Sequence, residues 1–126
     1  MFALLSMASA DSQIIAFEEK YKRPHWRPIT AIRAATDLDI PAIRGDAGWE
    51  PLRVTPPHPE YPSAHAVFSG AAEAVLRGFF GSDEIDVSVT APGPFGVTRT
   101  YHRFSALTEE VDNARVWGGI HFRSAD

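Results

Sequence analysis

Three short segments of the chain, residues 20–28, 62–65 and 115–121, carry side chains suited to holding a tetrahedral oxyanion. Together they supply cations, a hydroxyl and two imidazoles, at Lys20, Arg27, Ser63, His65, Arg115 and His121. The fork of an arginine matches phosphate-like oxygens, and charged donors make shorter and stronger hydrogen bonds than neutral ones. The residue types therefore predict a phosphate-like anion site, on condition that the fold brings the three segments together.

Taken singly, each segment also has a purely structural interpretation. Ser63 is a good helix N-cap, and basic residues such as Lys20 are favourable near a helix C-terminus. On the other hand, a helix N-terminus offers free N–H groups and the positive end of its dipole to an anion, and Ser63, Ala64 and His65 all lie there. The segments considered one at a time leave both interpretations open.

Composition limits the classes of function. A chain of 126 residues that is 44% hydrophobic fits one domain with a small core. The formal charge of -4 argues against a broad basic surface, so no nucleic acid is expected as a partner. The absence of Cys excludes disulfides and thiolate metal sites. No apolar run reaches the ~18 residues of a membrane span, and the apolar start is typical of an amphipathic helix rather than a signal peptide. Localisation and oligomeric state stay undetermined.

Periodicity and capping residues predict a mainly helical chain. The predicted helices are one from about Ala3 to Tyr21 or Lys22, a short one over 30–35, one over 64–80 between Ser63 and Gly81, one from a Ser105 cap to Trp117, and another beginning at Ile120. The helix over 64–80 is apolar nearly all round, which is typical of the middle of a bundle. The aromatic residues Phe79, Phe80, Trp117 and Phe122 are accordingly expected in the core.

Two further segments are not helical in pattern. Residues 37–62 contain six prolines and two glycines, which predicts a long irregular loop. In it, Trp49 and Tyr61 either line the entrance to the site or act as structural anchors. Residues 85–90 and 97–104 alternate in polarity around a Pro-Gly-Pro sequence, so they are expected to pair as a hairpin lying on the helices. His25, His58 and His102 are expected to be surface or loop residues.

The order and spacing of the three segments resemble the signature shared by vanadium-dependent haloperoxidases and the type 2 phosphatidic acid phosphatase superfamily. That pattern reads Lys, six residues, Arg-Pro; then Pro-Ser-Gly-His; then Ser-Arg, five residues, His, three residues, Asp. The positions of this chain that correspond to the pattern are Lys20, Arg27, Pro28, Pro62, Ser63, Ala64, His65, Ala114, Arg115 and His121. The amino-acid sequences of residues 26–33 and 117–123 are similar to those of the soluble bacterial haloperoxidase-like branch, specifically to its C-terminal catalytic portion.

The resemblance implies an all-α helical bundle of the acid phosphatase and vanadium haloperoxidase type, with vanadate or phosphate as the bound ion. It implies that Lys20, Arg27, Ser63, Ala64 and Arg115 hold the oxygens. His121 would be the axial vanadium ligand in a peroxidase or the nucleophile in a phosphatase, with His65 as its acid–base partner. The substrates would be peroxide and a halide, with vanadate as cofactor, or a phosphate ester with no cofactor.

The chain departs from the pattern at three positions. Ala64 replaces Gly, Ala114 replaces Ser, and Ala125 stands where an Asp is expected, with Asp126 one step further. An Asp there would orient the imidazole of His121. Residues 1–126 are expected to form a single catalytic domain that is a fragment of a larger one. Three functions remain open: a haloperoxidase-like enzyme, an acid phosphatase acting through a phosphohistidine at His121, and a non-catalytic anion-binding relic.

Overall fold

The computed structural model describes residues 1–38, 43–92 and 96–126. These ranges are mostly helical and include one two-stranded antiparallel sheet. The helices are α1 (Phe2–Lys22), α2 (Pro28–Ala34), α3 (Ala64–Phe80) and α4 (Phe104–Trp117), the strands are β1 (Glu84–Thr90) and β2 (Thr98–Arg103), and short 3-10 turns cover Ala35–Asp37 and Arg123–Ala125. The all-α prediction is therefore approximately right, and the predicted hairpin is present.

Helix α3 lies between α1 and α4 and has the ends that its sequence predicts. The backbone N–H of Ala66 donates to the Ser63 hydroxyl oxygen at 3.3 Å, so Ser63 caps its start. Gly81 ends it with a φ of 68°, a left-handed conformation that glycine adopts without steric cost. The N-terminus of α3 is thereby fixed beside the turn that follows α4, because Ser63 N–H donates to the Ala125 carbonyl at 2.8 Å.

The aromatic residues expected in the core lie largely on the surface. Phe79 is 55% exposed and Trp117 is 68% exposed, and Phe80 and Phe122 are also exposed. In the part of the chain that the structure describes, α3 has helical neighbours in α1 and α4, so the apolar side chains on the rest of its surface have nothing to pack against. The prediction that α3 is covered on all sides is wrong for this reason.

The long loop ties α2 to the glycine turn after α4. In its described residues it forms no helix or strand. The Arg33 Nε donates to the Trp49 carbonyl at 2.9 Å, and Arg53 N–H donates to the Gly118 carbonyl at 3.1 Å. Gly119 has a φ of 71°, and a Cβ there would lie 3.1 Å from the Trp49 ring. Trp49 is therefore a structural anchor of the glycine turn.

Most predicted boundaries differ from the structure by one or two residues, and two differences near the end of the chain have a clear physical cause. Helix α4 begins at Phe104, and Ser105 does not cap it. The carboxylate of Asp83 does so instead, accepting from Ser105 N–H at 3.0 Å and from its hydroxyl at 2.6 Å. The helix expected from Ile120 is reduced to a 3-10 turn, since the backbone groups of this segment bond to the loop and to the start of α3.

The hairpin pairs β1 with β2 and packs against α4. Its turn at 93–95 lies outside the described residues. Within the described ranges, every helix is too short or too polar to cross a membrane.

Candidate functional site

The three segments singled out in the sequence meet at one end of the helices. Lys20 lies in the last turn of α1, Arg27 is the residue before α2, Ser63 precedes α3, and His121 follows the glycine turn after α4. Arg27 Nη1 donates to the Ile120 carbonyl at 2.6 Å and lies 2.9 Å from His121 Nε2. Residues 94 positions apart in the sequence are thus in direct contact.

The polar side chains of this region are buried. Lys20 and Ser63 are 0% exposed, and Glu60, His121 and Arg27 are buried as well. Buried polar groups need hydrogen-bond partners, and these residues have them. Lys20 Nζ donates to the Pro59 and Glu60 carbonyls at 2.9 and 3.0 Å. The loop preceding α3 is therefore held against the end of α1 by a buried ammonium group.

The cations of the site repel one another. Burial, and then the charge of Arg27, lowers the pKa of Lys20 to about 8. Burial also lowers the pKa of the Arg27 and Arg115 guanidinium groups. Burial and nearby like charges both disfavour the protonated form of a cation and so lower its pKa. The lowered pKa values of these three cations indicate that the negative groups nearby do not fully compensate their charge. An anion placed among these groups would relieve that repulsion.

The hydrogen bonds of His121 define its protonation state. Arg27 can only donate, so Nε2 accepts and carries the lone pair. Nδ1 lies 3.0 Å from the Glu60 carboxylate oxygen Oε1, which can only accept, so Nδ1 carries the proton. Burial, with the nearby charge of Arg27, lowers the pKa of His121 to about 3. His121 is a neutral imidazole whose Nε2 lone pair is available to an electrophile that displaces Arg27.

A cavity of about 480 Å³ opens beside His121. Of the predicted site residues, Ala64, His65, Arg115 and His121 line it, whereas Lys20, Arg27 and Ser63 do not appear on its wall. The Nε of Arg115 is buried and has no hydrogen-bond partner among the described residues. Burial, and then the charge of Arg115, lowers the pKa of His65, which keeps that ring neutral near pH 7. The wall of the cavity thus carries three imidazoles, those of His58, His65 and His121, and a guanidinium whose Nε is unsatisfied.

The family model for the VCPO second helical-bundle domain matches residues 1–126, which is the whole chain. The chain belongs to this family of the vanadium haloperoxidases. It is 32% identical over 90 residues to the vanadium chloroperoxidase of Curvularia inaequalis, a match that covers 64% of this chain and 14% of that protein.

Solved structures of vanadium haloperoxidases have the same fold as this VCPO-type domain. A bacterial vanadium-dependent iodoperoxidase superposes with a TM-score of 0.81 at 37% identity, covering 96% of this chain and 27% of that one. The holo form of a bacterial vanadium-dependent chloroperoxidase gives 0.75 at 25% identity, covering 97% and 30%. The apo form gives 0.78 at 23% identity, covering 97% and 31%. This chain therefore spans less than a third of each of these relatives.

In the VCPO-type domain, two residues that contact the candidate site are not among those predicted from the sequence. The carboxylate of Glu60 lies at His121 Nδ1, where the sequence pattern predicts an Asp near position 125. Asp126 is the nearest Asp in the sequence, and burial raises the pKa of its carboxyl. His58 lies in the loop, as expected, and it also lines the cavity, with its Nδ1 3.1 Å from Arg27 Nη2. The signal for them in the sequence is that both lie within four positions of residues 62–65, in the segment predicted to be a long irregular loop.

Proposed function

We propose that this domain binds vanadate at His121 and, when vanadate is bound, oxidises a halide with peroxide. The observation that carries the proposal is the protonation state of His121. Its proton is on Nδ1 and its lone pair is on Nε2, next to a cavity and a cluster of cations. A neutral imidazole nitrogen is a good ligand for a metal centre. The hydrogen bonds of His121 already hold the tautomer that leaves Nε2 unprotonated for this purpose.

The donors around His121 fit an oxyanion in number as well as in charge. An ammonium has three N–H groups, and carbonyls occupy two of those of Lys20. Arg115 has its Nε unpaired among the described residues. The Ser63 oxygen accepts from the Ala66 N–H, and its own O–H can donate to an anion in competition with the Asp126 carboxylate. The Ala64 N–H is at the first turn of α3, where backbone donors have no partner within the helix. These groups would hold vanadate.

Bound vanadate would supply a Lewis-acidic centre at which peroxide is activated. This chain's residues would provide the electrostatics, since fixed cations stabilise negative charge without reorganising during the reaction. His65 lines the same cavity as a neutral ring at pH 7. A neutral imidazole accepts a proton, so His65 is suited to take one from incoming hydrogen peroxide.

A second candidate function is hydrolysis of a phosphomonoester by the same residues. The neutral His121 favours it, because Nε2 could attack phosphorus as the ester P–O bond breaks, with water then releasing phosphate from the phosphohistidine. The departing alkoxide needs a proton, and the lowered pKa of His65 leaves its ring mostly unprotonated at neutral pH, so that it has no proton to donate. The phosphatase reaction is therefore expected only in acid, and the peroxidase reaction is preferred.

The test is an assay of the purified chain with hydrogen peroxide and bromide or iodide, before and after loading with orthovanadate. The proposal predicts turnover that depends on vanadate, is abolished in His121→Ala, and is retained in His102→Ala. His102 is a matched control because it is an exposed histidine paired with Asp86 on the hairpin.

Parallel assays with p-nitrophenyl phosphate separate the alternatives. Hydrolysis in acid without any vanadate-dependent halide oxidation would support the phosphatase. Binding of vanadate without turnover in either assay would support the non-catalytic anion-binding relic and contradict the enzymatic proposal.

A further inference from the structure

We propose that Glu60 is the positioning residue that sets the tautomer of His121 and strengthens the donor character of its Nε2. The proposal rests on the proposed function in one respect, namely that Nε2 is the atom that bonds to vanadate. The first part concerns the domain before any anion binds. Glu60 lies in the loop before α3, 61 positions away from His121 in the sequence, and belongs to none of the three segments that the sequence singled out.

One oxygen of Glu60 fixes both the ring and the backbone of the His121 segment. Glu60 Oε1 accepts from His121 Nδ1 at 3.0 Å and from the Phe122 backbone N–H at 2.9 Å. The two donors belong to consecutive residues, so the carboxylate holds the ring at a fixed position relative to its own main chain. A ring held in this way cannot exchange its two nitrogens without breaking a buried hydrogen bond.

Glu60 is itself held in place. It is only 2% exposed. Its backbone N–H donates to the His25 carbonyl at 3.1 Å, and its carbonyl accepts from Lys20 Nζ at 3.0 Å. A carboxylate anchored on both sides of its Cα is a rigid acceptor. The same Lys20 that lies among the cations of the site thus also positions the residue that orients His121.

The chemical consequence lies at the opposite ring nitrogen. A carboxylate that accepts from Nδ1–H fixes the tautomer and raises the basicity of the other nitrogen. Arg27 also favours this tautomer by donating to Nε2. A ligand on Nε2 would replace that bond, whereas the Glu60 bond would persist. Glu60 is therefore the group that keeps the lone pair on Nε2 in the occupied site.

The experiment compares vanadate with inorganic phosphate in Glu60→Gln and in the native chain, by calorimetry. Phosphate is held by the cations and donors alone, whereas vanadate also bonds to Nε2. The titrations are made at mildly acidic pH, where both anions are mainly monoanionic. Removing the negative charge of Glu60 then favours both anions to a similar extent, so a change in their ratio reports on Nε2. We expect the preference for vanadate over phosphate to fall by about 10-fold or more, as for other groups that orient metal-binding histidines.

Glu50→Gln is the matched control. Glu50 lies in the same loop, pairs with Arg33 and is largely exposed, so the vanadate to phosphate ratio should not change. A Glu60→Gln variant with the same ratio as the native chain would overturn the role of Glu60. A merely structural defect would weaken both anions alike and leave that ratio unmoved.

A second measurement does not depend on vanadate. In ¹H–¹⁵N NMR spectra of the anion-free native chain, the Nδ1–H proton of His121 should appear far downfield and be protected from exchange. It should move upfield in Glu60→Gln, because an amide oxygen is a weaker acceptor than a carboxylate. An unchanged resonance would contradict the inference even if vanadate binds. If the native chain does not bind vanadate but the resonance moves as expected, the proposed function fails and the role of Glu60 in setting the tautomer stands.

Discussion

The proposed anion site and the outer faces of the helices distribute polar and apolar side chains in opposite ways. In the site, Lys20, Arg27, Ser63 and His121 are buried. On the outer faces, large apolar side chains are exposed, including Ile14 on α1 and Phe79 on α3. Soluble domains usually show the reverse, since lysine and arginine are almost never fully buried unless paired.

The difference supports the proposal that the buried polar cluster is the functional part of the molecule. A buried cation among other cations destabilises a fold, and the lowered pKa of Lys20 is a direct sign of that cost. The cost is offset in part by hydrogen bonds from Lys20 and Arg27 to backbone carbonyls. In the described part of the chain, the polar contacts on the outer faces of α1 and α3 are instead solvent-exposed ion pairs such as Lys22–Glu18 and Arg77–Glu73. Substitutions in the site should therefore change anion binding strongly, and substitutions on the faces should change little.

The largest effect is expected for Lys20→Met, which keeps the bulk of the side chain and removes its charge. We expect vanadate affinity to fall about 100-fold, because a hydrogen bond to a charged group contributes about 1.5–3 kcal/mol. Lys22→Met is the control on the same helix, since Lys22 is exposed and pairs with Glu18. Calorimetry on both variants checks this, and equal losses of affinity would mean that burial does not distinguish the two lysines.

A smaller loss is expected for Arg115→Ala, about 10-fold in vanadate affinity. Arg115 is only half-buried, so solvent screens its charge more than that of Lys20. Its Nε has no partner among the described residues, so thermal unfolding should occur at the same or a higher temperature. Arg123→Ala is the control, because Arg123 is exposed and bonds to Asn113. Unchanged vanadate affinity in Arg115→Ala would exclude it from the anion site.

The buried neutral state of His121 predicts a dependence of stability on pH. Its pKa is about 3 in the folded domain and 6.5 for an unperturbed imidazole, so between these values the unfolded chain binds more protons. The contribution of His121 is complete above pH 6.5 and is lost as the pH falls toward 3. A difference of one bound proton between the unfolded and folded states changes the free energy of unfolding by about 1.4 kcal/mol per pH unit.

Denaturant titrations from pH 7 to pH 4 test this, with His121→Asn as the reference for all other titrating groups. The free energy of unfolding should fall more steeply in the native chain than in the variant. Parallel curves would show that His121 is not held neutral by the fold.

The smallest effect is expected on the outer faces. Phe79→Ser removes a side chain that is more than half exposed, so the free energy of unfolding should fall by no more than about 1 kcal/mol. Ala16→Leu is the opposite case, because Ala16 is fully buried and a larger side chain would overpack its surroundings. The free energy of unfolding should then fall by about 1–3 kcal/mol. A larger loss for Phe79→Ser than for Ala16→Leu would show that the outer face of α3 is part of the core.

The local features of the fold were predictable from the sequence. Pro24 limits α1, and Ser63 and Gly81 mark the two ends of α3, because caps and prolines act on the backbone within one turn. The cap of α4 was not predictable, since Asp83 reaches it from the preceding segment. The exposure of Phe79 was not predictable either. Apolar periodicity shows that a face prefers burial but not whether a neighbour exists to cover it.

The site was predictable only to the extent that its residues lie in recognisable patterns. Residues 20–28, 62–65 and 115–121 have characteristic spacing, and the fold brings them into contact. Glu60 and His58 lie in the irregular loop, where position is set by long-range hydrogen bonds to Lys20 and Arg27. Such bonds produce no recognisable pattern in a sequence. The sequence therefore predicts a carboxylate near position 125 beside His121, whereas the structure has Glu60 there.

The most direct test of a single anion site built on His121 is a calorimetric titration of orthovanadate into the native chain near pH 8. We predict one binding site per chain, displaced by inorganic phosphate and lost for vanadate in His121→Ala. No saturable binding, or binding that neither phosphate nor the His121 substitution alters, would contradict the convergence of the three segments on one anion.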